Sequence, residues 1–387
     1  MRVSRLVVSF LTVVFVVAII IFALRSRTEP QVRARTIDLS DLNAAAGFAR
    51  AFGPRPLTFP ADHGAHPDFQ TEWWYYTGNL ISSDGRHFGY QLTFFRRALV
   101  PAFARVHRQS TWGTNQVYLA HFAVTDVTGK HHHTLERFSR GAVGLAGAGA
   151  SPFRVWLEDW QVVEEGSDVY RLYAAQSEIE IDLQLKDVKG PILQGDQGFS
   201  QKGPGAGNAS YYYSLTRLIT QGTVRLDQDV FAVSGTSWMD HEFSTSALGA
   251  NQVGWDWFSL QMDDGSEMMA FQVRQTDGSI DPFSSGTLVL SDGRAIQLKK
   301  DAFNITVQKE WSSPHTGAVY PASWTVSVPQ AQLNLEITPY LADQELNLSY
   351  SYWEGAVRIM GERAGKSVTG VGYVELTGYA GSMQRQF

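Results

Sequence analysis

Cysteine is absent from the 387-residue chain. That absence excludes disulfides, thiol nucleophiles, thiolate metal sites and lipid attachment through a cysteine. Charge is sparse as well: Asp, Glu, Lys and Arg make up 18% and the net charge is −6. No basic footprint therefore points to nucleic acid. Two familiar catalytic signatures are also missing. The chain has no Gly-x-Ser-x-Gly nucleophile elbow and no His-Glu-x-x-His helix, which counts against α/β-hydrolases and zincins. A triad dispersed along the sequence stays open, since its members meet only in the fold.

What is abundant points to sheet. Aromatic residues reach 12%, glycines number 35, and 44% of residues are hydrophobic. Aromatic-rich, Gly-punctuated, charge-poor sequence favours strands and tight turns over charged helices. The length suits two ordinary domains or one large β domain.

The N-terminus differs from the rest. Leu6 to Leu24 carries no charge and is bounded by Arg5 and Arg25. As a helix this run reaches roughly 28 Å, close to a bilayer core. It lacks a good small-x-small cleavage site, so residues 1–30 are expected to form an uncleaved signal anchor, with a cleaved signal peptide as the alternative. This predicts a single-pass inner-membrane protein held through residues 6–24. Arg2 and Arg5 precede the span and Arg25, Arg27, Arg33 and Arg35 follow it, a count that alone would keep the body inside. Long domains translocate despite such charge, and a periplasmic or extracytoplasmic body is expected. Residues 31–54 read as a linker with a short helix from Leu39 to Phe52, broken by Gly53-Pro54-Arg55-Pro56.

Beyond that point the pattern is strand and hairpin. Alternation runs through Gly89–Phe95, Val117–Val127, Val169–Tyr173, Ile179–Leu185, Phe271–Gln275, Thr287–Leu290 and Leu333–Ile337. Asp-Gly turns such as Asp84-Gly85, Asp264-Gly265, Asp277-Gly278 and Asp292-Gly293 separate them. An all-β antiparallel sandwich or barrel follows. Gly141 to Gly149 and Gly195 to Gly207 read as loops.

Three short segments set carboxylates among large rings: Glu72-Trp73-Trp74-Tyr75-Tyr76, Trp238-Met239-Asp240-His241-Glu242 and Trp255-Asp256-Trp257-Phe258. On a strand, neighbours alternate sides. Glu72, Trp74 and Tyr76 then share one face and Trp73 and Tyr75 the other; Trp238, Asp240 and Glu242 share a face; Trp255 and Trp257 oppose Asp256 and Phe258. An acid desolvated beside rings has its pKa raised and can serve as a general acid, while ring faces stabilise a developing cation. Buried acids that accept backbone N–H groups as fold locks are the competing reading. His131-His132-His133 alternates sides and reads as a solvated hairpin; His63 and His66 approach Glu72 on a loop too weakly patterned to assign a metal.

Taken together, His66 to Gly78, Gly89 to Arg96, Ala209 to Ser214, Gly235 to Glu242, Gly254 to Phe258, Tyr352-Trp353-Glu354-Gly355 and Gly370 to Tyr379 resemble the AttH/CrtC-like family over about residues 55 to 385. That family includes carotenoid 1,2-hydratase and many proteins described as secreted hydrolases. The resemblance implies two lipocalin-like β-barrel or sandwich domains, at 55–243 and 244–387, behind the N-terminal transmembrane helix. It implies hydration of an apolar alkene without a cofactor, with Asp240 in the position of the hydratase acid and Trp238 beside it. Tyr211 and Tyr213 fall where the hydratase carries His and Trp. It also implies an association with ABC-transporter permeases.

The expected activity is thus an acid-catalysed hydratase, or dehydratase, of an isoprenoid or lipidic alkene. Asp240 donates the proton, and Glu242 or His241 holds the water. Tyr211, Tyr213, Trp238, Trp74 and Trp257 line the pocket, and Glu72 and Asp256 are structural acids. The alternative is a non-catalytic lipid-binding module serving a transporter; a secreted hydrolase is third. An ion pair between Asp240 and Arg217 or Arg274 would favour the binding or structural reading.

Overall fold

The structure, a computed structural model, describes residues 46–105, 109–245 and 248–383. The anchor expected at residues 6–24 lies outside them, as does most of the linker. Among the described residues no helix is long and apolar enough to cross a membrane. The described end of the expected Leu39–Phe52 helix is turn and irregular backbone. Gly47, at φ 93°, has the left-handed conformation that a right-handed helix does not admit.

From Thr71 onward the chain forms two curled antiparallel sheets, a near-barrel and a half-barrel. The first opens with strand Thr71–Ser82 and closes with Asp229–Ser244; the second opens with Gln252–Met262 and closes with Lys366–Leu376. In each sheet the opening and closing strands pair with one another, and the remaining strands meander away on either side. The Asp-Gly turns behave as their chemistry requires: Gly85 and Gly265 sit at φ 85° and 81°. The Gly141–Gly149 stretch is only partly a loop, because Ala146–Ala150 is a strand paired with Phe153–Leu157. Its glycines accommodate a ring: a Cβ on Gly147 would come within 2.6 Å of the Trp156 indole. In the Gly195–Gly207 loop, Phe199–Gln201 pairs with strand Ala209–Leu226.

Strand alternation sends one face of each sheet into its own core. Trp74, Tyr76, Phe94 and Trp160 pack inside the first sheet. Phe258, Leu260, Trp324 and Trp353 pack inside the second. The opposite faces meet each other through a third cluster that includes Tyr75, Tyr212, Trp238, Trp257 and Phe271. A lipocalin-like cup would place its ligand space inside a barrel; here the barrel interiors hold packed side chains and the space lies between the sheets. Polar pins cross that interface. Glu267 takes Lys189 at 2.6 Å and Arg217 at 2.5 Å. The Gln261 amide donates to the carbonyls of Thr216 and Ser237 at 2.7 and 2.9 Å.

Candidate active site

The interface between the sheets encloses a cavity of about 130 Å³. Two lateral rows of side chains build its walls. In the first sheet, register places Thr93, Tyr75, Asp240 and Ser214 side by side on four strands. In the second, it places Phe271, Trp257, Glu375 and Glu354 side by side on four more. Carboxyls and rings from both sheets therefore converge on one space.

Asp240 is 3% exposed, and among the described residues no cation pairs with it. Its partners are neutral donors. The Ser214 hydroxyl and the Trp238 indole N–H donate to Oδ1 at 2.5 and 2.7 Å, and the Tyr212 hydroxyl donates to Oδ2 at 2.7 Å. Trp257, from the other sheet, donates to the Tyr212 oxygen at 3.1 Å. Burial is the strongest influence on the Asp240 carboxyl and pushes its pKa up. The three donors pull it back and the nearby Glu242 adds to the rise, leaving it at about 7. Oδ2 accepts a single donor, so it is the oxygen with a lone pair left to carry a proton.

Glu242 also faces the cavity, where it pairs with Lys202 at 3.1 Å. The Lys202 ammonium lies over the Phe271 ring at 4.1 Å and the Tyr212 ring at 5.3 Å. Across the cavity, Glu354 and Glu375 are direct cross-strand neighbours that hydrogen-bond to each other. The Tyr75 hydroxyl donates to Glu354 and the Trp255 indole to Glu375, each at 2.9 Å. Burial raises both carboxyls, and mutual repulsion adds to the rise of Glu354. Both glutamates were open to detection: Tyr352-Trp353-Glu354 and Tyr373-Val374-Glu375 repeat the acid-among-rings pattern of the three segments singled out above.

The structure separates the expected site residues into two sets. Asp240, Glu242 and Trp257 line the cavity, and Trp238 stands beside Asp240 with its ring 6.4 Å from that of Trp257. His241, Trp74, Tyr211 and Tyr213 do not belong with them. The odd-numbered residues of strand Asp229–Ser244 turn away from the cavity, so His241 stacks on Trp74 at 4.8 Å and bonds Tyr213 at 3.0 Å. Trp74 donates to the His63 carbonyl at 2.9 Å in the first core. The Tyr211 hydroxyl donates to the Gly53 carbonyl at 3.0 Å. Register pairs Ser214 with Asp240, and this brings Tyr212 and Ser214, rather than Tyr211 and Tyr213, to the acid.

Glu72 and Asp256 lie off the cavity in bonded surroundings. Burial alone would raise the Glu72 pKa, but Arg96 at 2.7 Å, together with His241 and His66, holds it well below the usual carboxylate range. Asp256 is paired with Arg274 at 2.9 Å and receives the Tyr379 hydroxyl at 3.1 Å. Among the described residues, His66, Glu72 and His241 have ligand types at metal spacing. Both imidazoles already bond Glu72 Oε1 at 2.8 Å, and the buried Arg96 guanidinium opposes a second cation there. This group works as a hydrogen-bonded knot.

The chemistry available in the cavity is that of a general acid facing aromatic rings. A carboxyl with a pKa near neutrality is protonated in a useful fraction of molecules and is still acidic enough to give its proton up.

Comparison with known proteins agrees with the fold. The AttH-like family model matches residues 50–379. A protein of Nitrosomonas europaea assigned to AttH superposes with a TM-score of 0.77 at 36% identity, over 86% of this chain and 100% of its own. Kievitone hydratase from Nectria haematococca superposes at 0.61 with 14% identity, over 88% of this chain and 99% of its own. CghA, solved with Sch210972, superposes at 0.50 with 11% identity, over 87% and 97%. The last two are likenesses of fold. No curated protein matches the sequence.

Proposed function

The chain belongs to the AttH-like family, and on that footing we propose that it is an acid-catalysed hydratase, or dehydratase, of an alkene at the end of an apolar, isoprenoid-like molecule. The observation that carries this reading is Asp240: buried, without a cationic partner among the described residues, and held by three neutral donors beside the rings of Tyr212 and Trp257. Neither Arg217 nor Arg274 pairs with it; they take Glu267 and Asp256 instead. Kievitone hydratase, a structural neighbour, carries a hydration in its name.

In the proposed reaction the C=C π electrons take the proton from Asp240 Oδ2. A C–H bond forms, and positive charge develops on the more substituted carbon. Ring faces and the newly ionised Asp240 stabilise that cation. Water adds to form the C–O bond and gives its proton to Glu242, which lies within the same cavity. Return of that proton to Asp240 completes the cycle, and dehydration is the same path reversed. The cavity, at about 130 Å³, is close to the roughly 150 Å³ that admits a benzene ring. It suits the reacting terminus of a substrate.

The test is a panel of prenylated phenols and acyclic isoprenoid alkenes incubated in isotopically labelled water, with the label sought in product by mass spectrometry. Wild-type protein is expected to convert at least one substrate, and Asp240→Asn to lower that rate about 10²–10⁴-fold. Full turnover by Asp240→Asn, or no conversion by the wild type, would overturn the proposal.

A further inference from the structure

The cavity has more latent negative charge than its reaction requires. Asp240, Glu242, Glu354 and Glu375 all line it. Among the described residues one ion pair reaches them, between Lys202 and Glu242. That pair displays how the cavity holds a cation: an ammonium seated on the faces of Phe271 and Tyr212, with a carboxylate at its edge. Rings and carboxyls also meet, without an ammonium, where Tyr75 and Trp257 pack edge to face at 5.0 Å. Tyr75 there bonds Glu354, and Trp257 is the cross-strand neighbour of Glu375.

We propose that this second combination, Tyr75 and Trp257 with Glu354 and Glu375, is a receptor for an organic ammonium ion bearing small alkyl groups. Rings supply the quadrupole that a weakly hydrated cation prefers, and the carboxyls supply charge on demand. The pair holds a proton because its surroundings are dry and because Glu375, once ionised, opposes ionisation of Glu354. An arriving cation reverses that balance, so a proton leaves for solvent as the ammonium binds. Other groups that face the pair are Asp240, Glu242, Lys202, Tyr350, Tyr352 and Tyr373. The tyrosines remain neutral, since burial raises each of them well above the ordinary phenol value. Lys202 is neutralised by Glu242. The proton is therefore supplied by the carboxyls.

This inference deepens the hydratase reading and rests on it for one point only: an ammonium imitates the tertiary cation of turnover. Its test needs no substrate. The full-length protein is titrated calorimetrically with choline and with neohexyl alcohol, the uncharged isostere in which carbon replaces nitrogen. Choline is expected to bind at least about tenfold more tightly. Its heat is expected to change between phosphate and Tris buffers by the amount due to about one released proton. The Glu354→Gln/Glu375→Gln double variant is expected to lose both the preference and the proton release while still binding the alcohol. Equal or better binding of the alcohol, a buffer-independent heat, or no binding of either compound would overturn the proposal. The two wild-type readouts hold even if the variant does not fold. Choline binding with no alkene converted would sink the hydratase reading alone, and alkene conversion without choline binding would sink this one alone.

Discussion

Asp240 and Glu72 are both buried carboxyls among rings, yet they oppose each other energetically. Glu72 has a guanidinium at 2.7 Å and two imidazoles; Asp240 is held by three neutral donors. For Asp240 the folded pKa of about 7 lies above the unfolded value of about 3.9. Between those values the folded state holds a proton that the unfolded state has released. Stability therefore falls as pH rises from about 4 to about 7 and levels off above that. Asp240→Asn removes this penalty. It is expected to be close to wild type in stability at pH 4 and more stable at pH 8, by on the order of 4 kcal/mol at most. Glu72→Gln, which strands the Arg96 charge in the interior, is expected to lose about 3–5 kcal/mol. Urea unfolding at the two pH values measures both, and an Asp240→Asn variant destabilised at pH 8 would contradict the assignment.

At the scale of the strand, alternation is legible in the sequence and register is not. The pattern around Trp238-Asp240-Glu242 correctly groups those residues on one face, and likewise Trp73 with Tyr75, and Trp255 with Trp257. Which face of Ala209–Leu226 meets them depends on the pairing of Ser214 with Asp240, a single offset that no local pattern encodes. Shifting attention by one residue exchanges Tyr212 and Ser214 for Tyr211 and Tyr213. Glu354 and Glu375 carry the acid-among-rings pattern in the sequence, but their meeting with Asp240 was hidden. They lie more than a hundred residues beyond Asp240 and arrive only because the second sheet docks on the first. The register makes its own prediction. The Tyr212 hydroxyl lowers the Asp240 pKa by donating to Oδ2. Tyr212→Phe removes that donor, so the pKa rises, and the alkaline limb of the pH–rate profile is expected to move up by about one unit. Tyr211→Phe, which loses only a bond to the Gly53 carbonyl, is expected to leave the limb where it is.

For the molecule as a whole, the decisive feature is that the cavity belongs to neither sheet. Each sheet fills its own interior, so each has the core expected of an independently cooperative unit. What joins them is a contact surface that mixes rings with buried polar pins, and the strongest pin is Glu267. Its carboxylate is fully buried between Lys189 and Arg217, whose side chains are only 9% and 18% exposed. Both cations come from the first sheet's half of the chain and the acid from the second. Glu267→Gln keeps the shape but leaves two poorly hydrated cations facing a neutral amide, at a cost of about 3–5 kcal/mol. That loss falls on the docking of the sheets and spares their separate cores. Scanning calorimetry of the wild type is therefore expected to give one transition, and of Glu267→Gln two, the lower one accompanied by loss of choline binding. A variant that unfolds in one transition at a merely lower temperature would mean that the two cores do not stand alone. The cavity would then lie inside one cooperative unit.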